Sequence, residues 1–308
     1  MTRVAAIDCG TNSLRLLIAD VDGGSLVDVE RHMRIVRLGQ GVDRTRRFAP
    51  DALERTFLAC REYADMIATA DVDRVRFVAT SASRDVSNRN EFSDGVFAAL
   101  GVLPEVISGD EEAELSFAGA TRELIGVQGI ASPYLVVDIG GGSTEFVIGT
   151  REAVAARSVD VGCVRLTERH LVDDPPTAQQ VAAARADVAV AIDAVATTVP
   201  VDEAATLVGL AGSVTTVAAI ALGLDAYDPI VIHHSRIAAA AVHGVTERLL
   251  AMTRAQRAAL PVMHPGRVDV IGAGALVLDT IVEQLHVPEV VVSEHDILDG
   301  IAFALGGV

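Results

Sequence analysis

The sequence predicts an α/β protein built from two duplicated domains, and three observations carry that prediction. Apolar runs of strand length alternate with longer stretches at helical spacing along all 308 residues. A strand, glycine turn, strand pattern occurs twice. "VAAIDCGTNSLRLLIAD" and "LVVDIGGGSTEFVIG" align at a shift of 130 residues, pairing Asp8 with Asp138, Gly10 with Gly140 and Ser13 with Ser143. The length also suffices for two separate cores. The turn-rich "GVQGIASP" (126–133) marks the boundary, so the domains are expected over 1–131 and 132–308.

The elements follow in order. Residues 3–9 and 14–21 are expected strands around a "GTNS" turn, with a third strand near Val29–Leu38. Leu53, Phe57, Leu58, Tyr63, Met66 and Ile67 recur at helical spacing after Pro50, predicting a helix over Asp51–Thr69. "VRFVATSASR" is a strand entering a polar turn, 90–100 a helix and "PEVIS" a short strand. Ser108 and Glu111 have capping-box spacing, which starts a helix near Gly109 and carries it to about Leu124. Beyond the boundary, Tyr134–Val137 and Glu145–Ile148 are strands flanking Gly140–Gly142, and Val154–Val161 is a third. A helix over about 177–197, the strand "ATLVGL", the turn "AGSVTT" and helices at 236–250 and 267–285 complete the pattern. The strand "PEVVVSE" and a helix from about Ile297 close it.

Composition excludes several functions. All 25 basic residues are arginine, so a Walker A lysine and a pyridoxal Schiff base are both ruled out. A formal charge of −17 argues against nucleic acid as a partner. No apolar run predicts a membrane span: Leu207–Leu222 comes nearest but contains Gly212, Ser213 and two threonines. The N-terminus lacks the features of a secretory leader, and the dispersed Cys9, Cys60 and Cys163 fit reduced thiols, so a cytoplasmic location is expected. The histidines show no zinc-finger or helical ligand spacing. One local departure from the acidic balance is "RHMRIVRLGQGVDRTRRF" (31–48), with Arg31, Arg34, Arg37, Arg44, Arg46 and Arg47. It is either a focus for an anion or a solvated face.

The two glycine turns suggest phosphate chemistry. Glycine lets an anion approach the backbone N–H groups, and Thr11, Asn12, Ser13, Ser143 and Thr144 add neutral donors. Two such turns can clamp a phosphate chain from both sides. Asp8 and Asp138 beside phosphate make sense if they hold Mg²⁺ directly or through water; the alternative is a carboxylate capping its own turn. In "ISGDEEAELSFAGA" the acids Asp110, Glu111, Glu112 and Glu114 crowd a helix start. They either compensate the helix dipole or leave one carboxylate basic enough to activate water. Arg84 ends a predicted strand and can engage two phosphate oxygens. "GLAGSVTTVAA" offers another helix N-terminus to an anion or nucleotide, or else packs closely.

Taken together, "IDCGTNSLRLLI", "FVATSASRD", "ISGDEEAELSFAGA", "LVVDIGGGSTEFVIG", "GLAGSVTTVAAI" and "VIGAGALVLDTI" resemble the exopolyphosphatase/guanosine pentaphosphate phosphohydrolase family over nearly the whole chain. The resemblance implies two ribonuclease H-like α/β domains of the actin, Hsp70 and sugar-kinase superfamily, with a cleft between them. It implies Glu112 as catalytic base, Asp138 and Glu145 as acids tied to metal and catalysis, and Asn12, Ser13, Arg84, Gly140, Gly141, Gly142 and Ser143 as phosphate contacts. The implied reaction is release of terminal orthophosphate from polyphosphate with Mg²⁺, or alternatively Mn²⁺. The 5′ γ-phosphate of guanosine pentaphosphate is the alternative substrate, and a homodimer is implied. An actin- or Hsp70-like nucleotide-binding protein is the reading from a different class. The helical C-terminal domains of the longer family members are not seen, which sets an expectation of shorter polyphosphate substrates.

Overall fold

The computed structural model describes residues 1–307. The chain forms two compact units, Met1–Gly119 together with the segment from Ile297 onward, and Ala120–Asp296. This division differs from the expected one in two places: the boundary falls between Gly119 and Ala120 and not at 131/132, and the last helix packs into the first unit.

The first unit is built on a sheet of β1 (Thr2–Cys9), β2 (Ser13–Asp22), β3 (Ser25–Ile35), β4 (Arg74–Ala79) and β5 (Glu105–Val106), in the order β3-β2-β1-β4-β5. The first three strands are antiparallel, while β4 and β5 run parallel to β1. Strand alternation feeds two cores. Ala5, Ile7 and Cys9 of β1, with Leu14, Leu16 and Ile18 of β2, pack on Tyr63, Phe77 and Phe92. The intervening Val4 and Ala6, with Leu17, Ala19 and Val21, pack on Leu298, Ile301, Ala302 and Phe303 of the helix Ile297–Gly306. That helix completes the unit because the apolar back of β1 and β2 needs a cover. Such a contact spans nearly the whole chain and leaves no local signal. Gly300 sets its approach: a Cβ there would lie 2.0 Å from the Leu115 carbonyl oxygen.

The second unit repeats the plan. Its strands are β6 (Tyr134–Ile139), β7 (Thr144–Gly149), β8 (Ala153–Val159), β9 (Thr206–Leu210), β10 (Arg236–Ala238) and β11 (Glu289–Val292), in the order β10-β11-β9-β6-β7-β8. Taken from β8, the order β8-β7-β6-β9-β11 repeats that of the first sheet, with β10 added antiparallel at the edge. Every residue of β6 and β7 is buried. The helix Ile271–Gln284 is buried on all sides from Ile271 to Val282, as its nearly unbroken apolar sequence requires.

Four local expectations are corrected. β3 starts at Ser25, because Gly23 and Gly24 with φ of 56° and 92° make a tight hairpin turn. The expected turn "AGSVTT" is already helix, Ala211–Ala221, entered through Ala211 in the left-handed region at φ 66°. The helix expected from 236 begins at Ala239, since Arg236–Ala238 is drawn into pairing with β11. The helix expected from 267 begins at Ile271 after a 3-10 turn, Pro265–Arg267.

Two substitutions test the closing helix. Gly300→Val drives a side chain into the Leu115 backbone and is expected to cost about 1–3 kcal/mol. Ile301→Ala, at a fully buried position, is expected to cost about 2–5 kcal/mol. Denaturant unfolding of the full chain checks both, and unchanged midpoints would contradict this packing.

Candidate active site

In the first unit the turn between β1 and β2 is held from beneath. The Gly10 N–H donates to the Ser13 carbonyl at 3.0 Å. The Asn12 carbonyl accepts the N–H groups of Val36 and Arg37, and the Thr11 carbonyl accepts that of Gly39. The Thr11 hydroxyl meets the Ser81 hydroxyl at 3.0 Å, which ties the turn to the short helix Ser81–Arg84. Asp8 is buried and opposes Arg15 across the β1–β2 ladder. Arg15 donates to its Oδ2 through Nε at 2.9 Å and Nη2 at 2.7 Å. Nothing in the sequence pattern singles out Arg15 as the partner of this acid, except that hairpin register sets residues 8 and 15 opposite one another.

The second unit carries the corresponding turn between β6 and β7, with the same Gly140 N–H to Ser143 carbonyl bond at 3.0 Å. Here a helix absent from the sequence reading, Cys163–Arg169, sets the geometry. Its first N–H groups have no partner within the helix and donate outward. Cys163 donates to the Gly140 carbonyl at 3.0 Å, and Val164 and Arg165 to the Gly141 carbonyl at 2.8 and 3.1 Å. The Arg165 Nε takes the Gly142 carbonyl at 2.7 Å. In a trans peptide the carbonyl and the following N–H point opposite ways. With three carbonyls drawn towards the helix, the N–H groups of Gly141, Gly142 and Ser143 turn to the other side of the loop. A run of such N–H groups is an anion-binding concavity. Gly162 permits the arrangement, because a Cβ there would come within 2.5 Å of the Gly141 carbonyl oxygen.

Asp138 and Glu145 are directly opposed across the β6–β7 ladder and are 7% and 1% exposed. Ser158 donates to Glu145 Oε1 at 2.7 Å. The register that gives the first unit an Asp8–Arg15 ion pair therefore gives the second a pair of acids. Like charges opposed in a ladder are unfavourable. The all-oxygen donors of this pair suit a hard cation.

Glu112 sits on the helix Gly109–Thr121, whose start is capped by Ser108 accepting the Glu111 N–H at 3.1 Å. Arg84 Nη1 donates to Glu112 Oε2 at 2.7 Å and to the Ile107 carbonyl at 3.2 Å. The acids crowded at this helix start are drawn apart in the fold: Glu111 turns to Arg76 at 2.7 Å while Glu112 faces Arg84. The nearest charge to the candidate base is thus a guanidinium, and both residues are brought together with the Thr11–Ser81 contact in one unit.

Other expected features are used up internally. Arg31, Arg34, Arg46 and Arg47 of the basic segment pair with Asp28 and Asp299, Glu62, Asp85 and Glu91 respectively. This leaves little of the anticipated anion focus. The helix start at Gly212 is covered by Arg267, whose Cζ lies where a Gly212 side chain would stand. Arg267 donates to Thr216 at 3.0 Å and lies 5.9 Å from the Tyr227 ring. The three cysteines are buried free thiols, and burial pushes Cys60 up to about 12, so none is an activated nucleophile.

Comparison with known proteins identifies the family. The model of the Ppx/GppA phosphatase family matches residues 17–305. "Exopolyphosphatase 2" of Mycobacterium tuberculosis is 55% identical, over 100% of this chain and 99% of its own. The crystal structure of an exopolyphosphatase-like protein has a TM-score of 0.96 at 45% identity, covering 99% of both chains. A PPX-GPPA enzyme of Aquifex aeolicus has a TM-score of 0.81 at 30% identity, covering 98% of this chain and 99% of that one. By topology, by its duplicated glycine-turn hairpins and by full-length similarity, the chain belongs to the Ppx/GppA phosphatase family.

Proposed function

We infer that the protein is an exopolyphosphatase, hydrolysing the terminal phosphoanhydride bond of inorganic polyphosphate to release orthophosphate. One observation carries this reading: the Gly140–Ser143 loop commits its carbonyls to a helix start, which leaves its N–H groups on the opposite side, in a chain similar at full length to an exopolyphosphatase. The first unit supplies the base. Glu112 takes a proton from water as its oxygen attacks the terminal phosphorus, and the bridging oxygen departs with the shortened chain. Arg84 links substrate to base. A phosphate that takes up the Arg84 guanidinium competes with Glu112 for it, so substrate arrival frees the carboxylate to engage water. The N–H groups of Gly141, Gly142 and Ser143 stabilise charge on phosphate oxygens. Asn12 and Ser13 supply the contacts of the first hairpin.

The residues fit a divalent cation: Asp138 and Glu145 are buried, opposed and all-oxygen, while Asp8, the equivalent acid of the first hairpin, is held by Arg15. We assign them to Mg²⁺ or Mn²⁺, whose contribution when bound is to neutralise phosphate oxygens. Among the described residues no helix is long and apolar enough to cross a membrane, and three buried reduced thiols fit a cytoplasmic setting.

Glu112→Gln is expected to lower turnover by about 10²–10⁴ with polyphosphate binding retained. Orthophosphate release and equilibrium binding, measured side by side on polyphosphate, guanosine pentaphosphate and ATP, check this. Near-normal turnover removes Glu112 from the mechanism, and faster release from the nucleotides than from polyphosphate overturns the substrate. Gly162→Ala is expected to displace the Gly141 carbonyl and reduce kcat/KM about 10²-fold, the scale for a misplacement of about 1 Å. Full activity in a folded Gly162→Ala protein would show that the loop tolerates the shift.

A further inference from the structure

We propose that Glu123, His233 and His295 form a site for a divalent transition-metal ion, with Zn²⁺ the best match, separate from the all-oxygen acids of the phosphate loops. All three belong to the second unit. Glu123 stands in the 3-10 turn Arg122–Leu124, His233 follows the short helix Pro229–Ile232, and His295 follows β11. Their separation in the sequence is why no ligand spacing is visible there.

The fold draws these segments together through its backbone. His234 donates its N–H to the Val292 carbonyl at 2.7 Å, Val292 donates to Ser235 at 2.9 Å, and β10 pairs with β11. His233 and His295 are thereby set with ring centroids 4.6 Å apart. One ligand atom from each of Glu123, His233 and His295 lies within 4.8 Å of the other two.

The distances match a metal's coordination shell. Both imidazoles converge on a single carboxylate oxygen, with His233 Nε2 3.1 Å and His295 Nδ1 3.3 Å from Glu123 Oε2. Ligands about 2.0–2.2 Å from a tetrahedral zinc are themselves about 3.3 Å apart. Two imidazoles and one carboxylate are also the donor set of zinc sites that keep one position open. Nitrogen donors favour zinc and its neighbours over Mg²⁺.

The proton arrangement adds a specific requirement. The Glu294 N–H donates to His233 Nδ1 at 3.1 Å, so in the metal-free protein the ring proton is on Nε2, facing Glu123. Metal at Nε2 moves that proton to Nδ1 and exchanges one backbone hydrogen bond for a coordinate bond. Behind His233, the His234 ring stacks at a centroid distance of 3.7 Å, and Glu123 supplies the local negative charge.

Tag-free, metal-stripped full-length protein is titrated with Zn²⁺ and with Co²⁺ in excess Mg²⁺, following calorimetric heat and visible cobalt absorption. One Zn²⁺ per chain is expected, with cobalt bands of low-symmetry nitrogen and oxygen ligation. Losing an outer-shell partner already costs 10–100-fold in affinity, so His233→Ala, His295→Ala and Glu123→Gln should each weaken Zn²⁺ by about 100-fold or more. Zn²⁺ should also raise the Tm of the wild type and not of the variants. Glu123 is exposed, so Glu123→Gln keeps the test valid if a histidine variant fails to fold. No Zn²⁺ uptake by the wild type, or uptake unchanged in Glu123→Gln, overturns the proposal whatever the phosphatase assays show.

Discussion

A peptide group cannot offer its carbonyl and its N–H on the same side, and the Gly140–Ser143 loop is organised around that restriction. A loop that faces an anion must send its carbonyls somewhere, and burial leaves them a cost unless a donor is waiting. The start of the helix Cys163–Arg169 is that donor, since its leading N–H groups are left over by helix geometry. The two needs cancel: surplus donors of one element meet surplus acceptors of another. Gly162 is the hinge of this exchange, because only a residue without a side chain lets the two backbones come so near.

The duplication shows how one scaffold supports two chemistries. Both hairpins have the same register and the same glycine-to-serine backbone bond. They differ in one decisive cross-strand position, Arg15 in the first and Glu145 in the second. The first hairpin sets an ion pair across its ladder, whereas the second opposes two buried carboxylates. Arg84 and Glu112 add a further ion pair in the first unit.

Much of this was legible in the sequence because it is local. The hairpins, the Ser108 cap and the 130-residue repeat depend on neighbours in the chain, and glycine and hydroxyl residues announce them. The Arg84–Glu112 contact was not legible as a pair, although both residues stood out singly, because it joins the end of the short helix Ser81–Arg84 to the start of the helix Gly109–Thr121. The helix Cys163–Arg169 was missed for a different reason. At seven residues it is too short to show a full apolar period, and its role is carried by main-chain atoms. The convergence of Glu123, His233 and His295 depends on sheet pairing at long range, to which residue spacing is blind. Arg267 over Gly212 is of the same kind: the motif was visible, its occupant was not.

The helix Ile297–Gly306 gives the chain an order of assembly. The first unit has its β-sheet from residues near the N-terminus, yet the back of that sheet stays uncovered until a segment almost 300 residues later has been made. The second unit lies wholly between these two parts and has its own core. During synthesis it can therefore finish folding first, while Leu17, Ala19 and Val21 wait with their apolar side exposed. The half-built sheet is the species most exposed to aggregation, and the time it must wait is set by translation of the intervening unit.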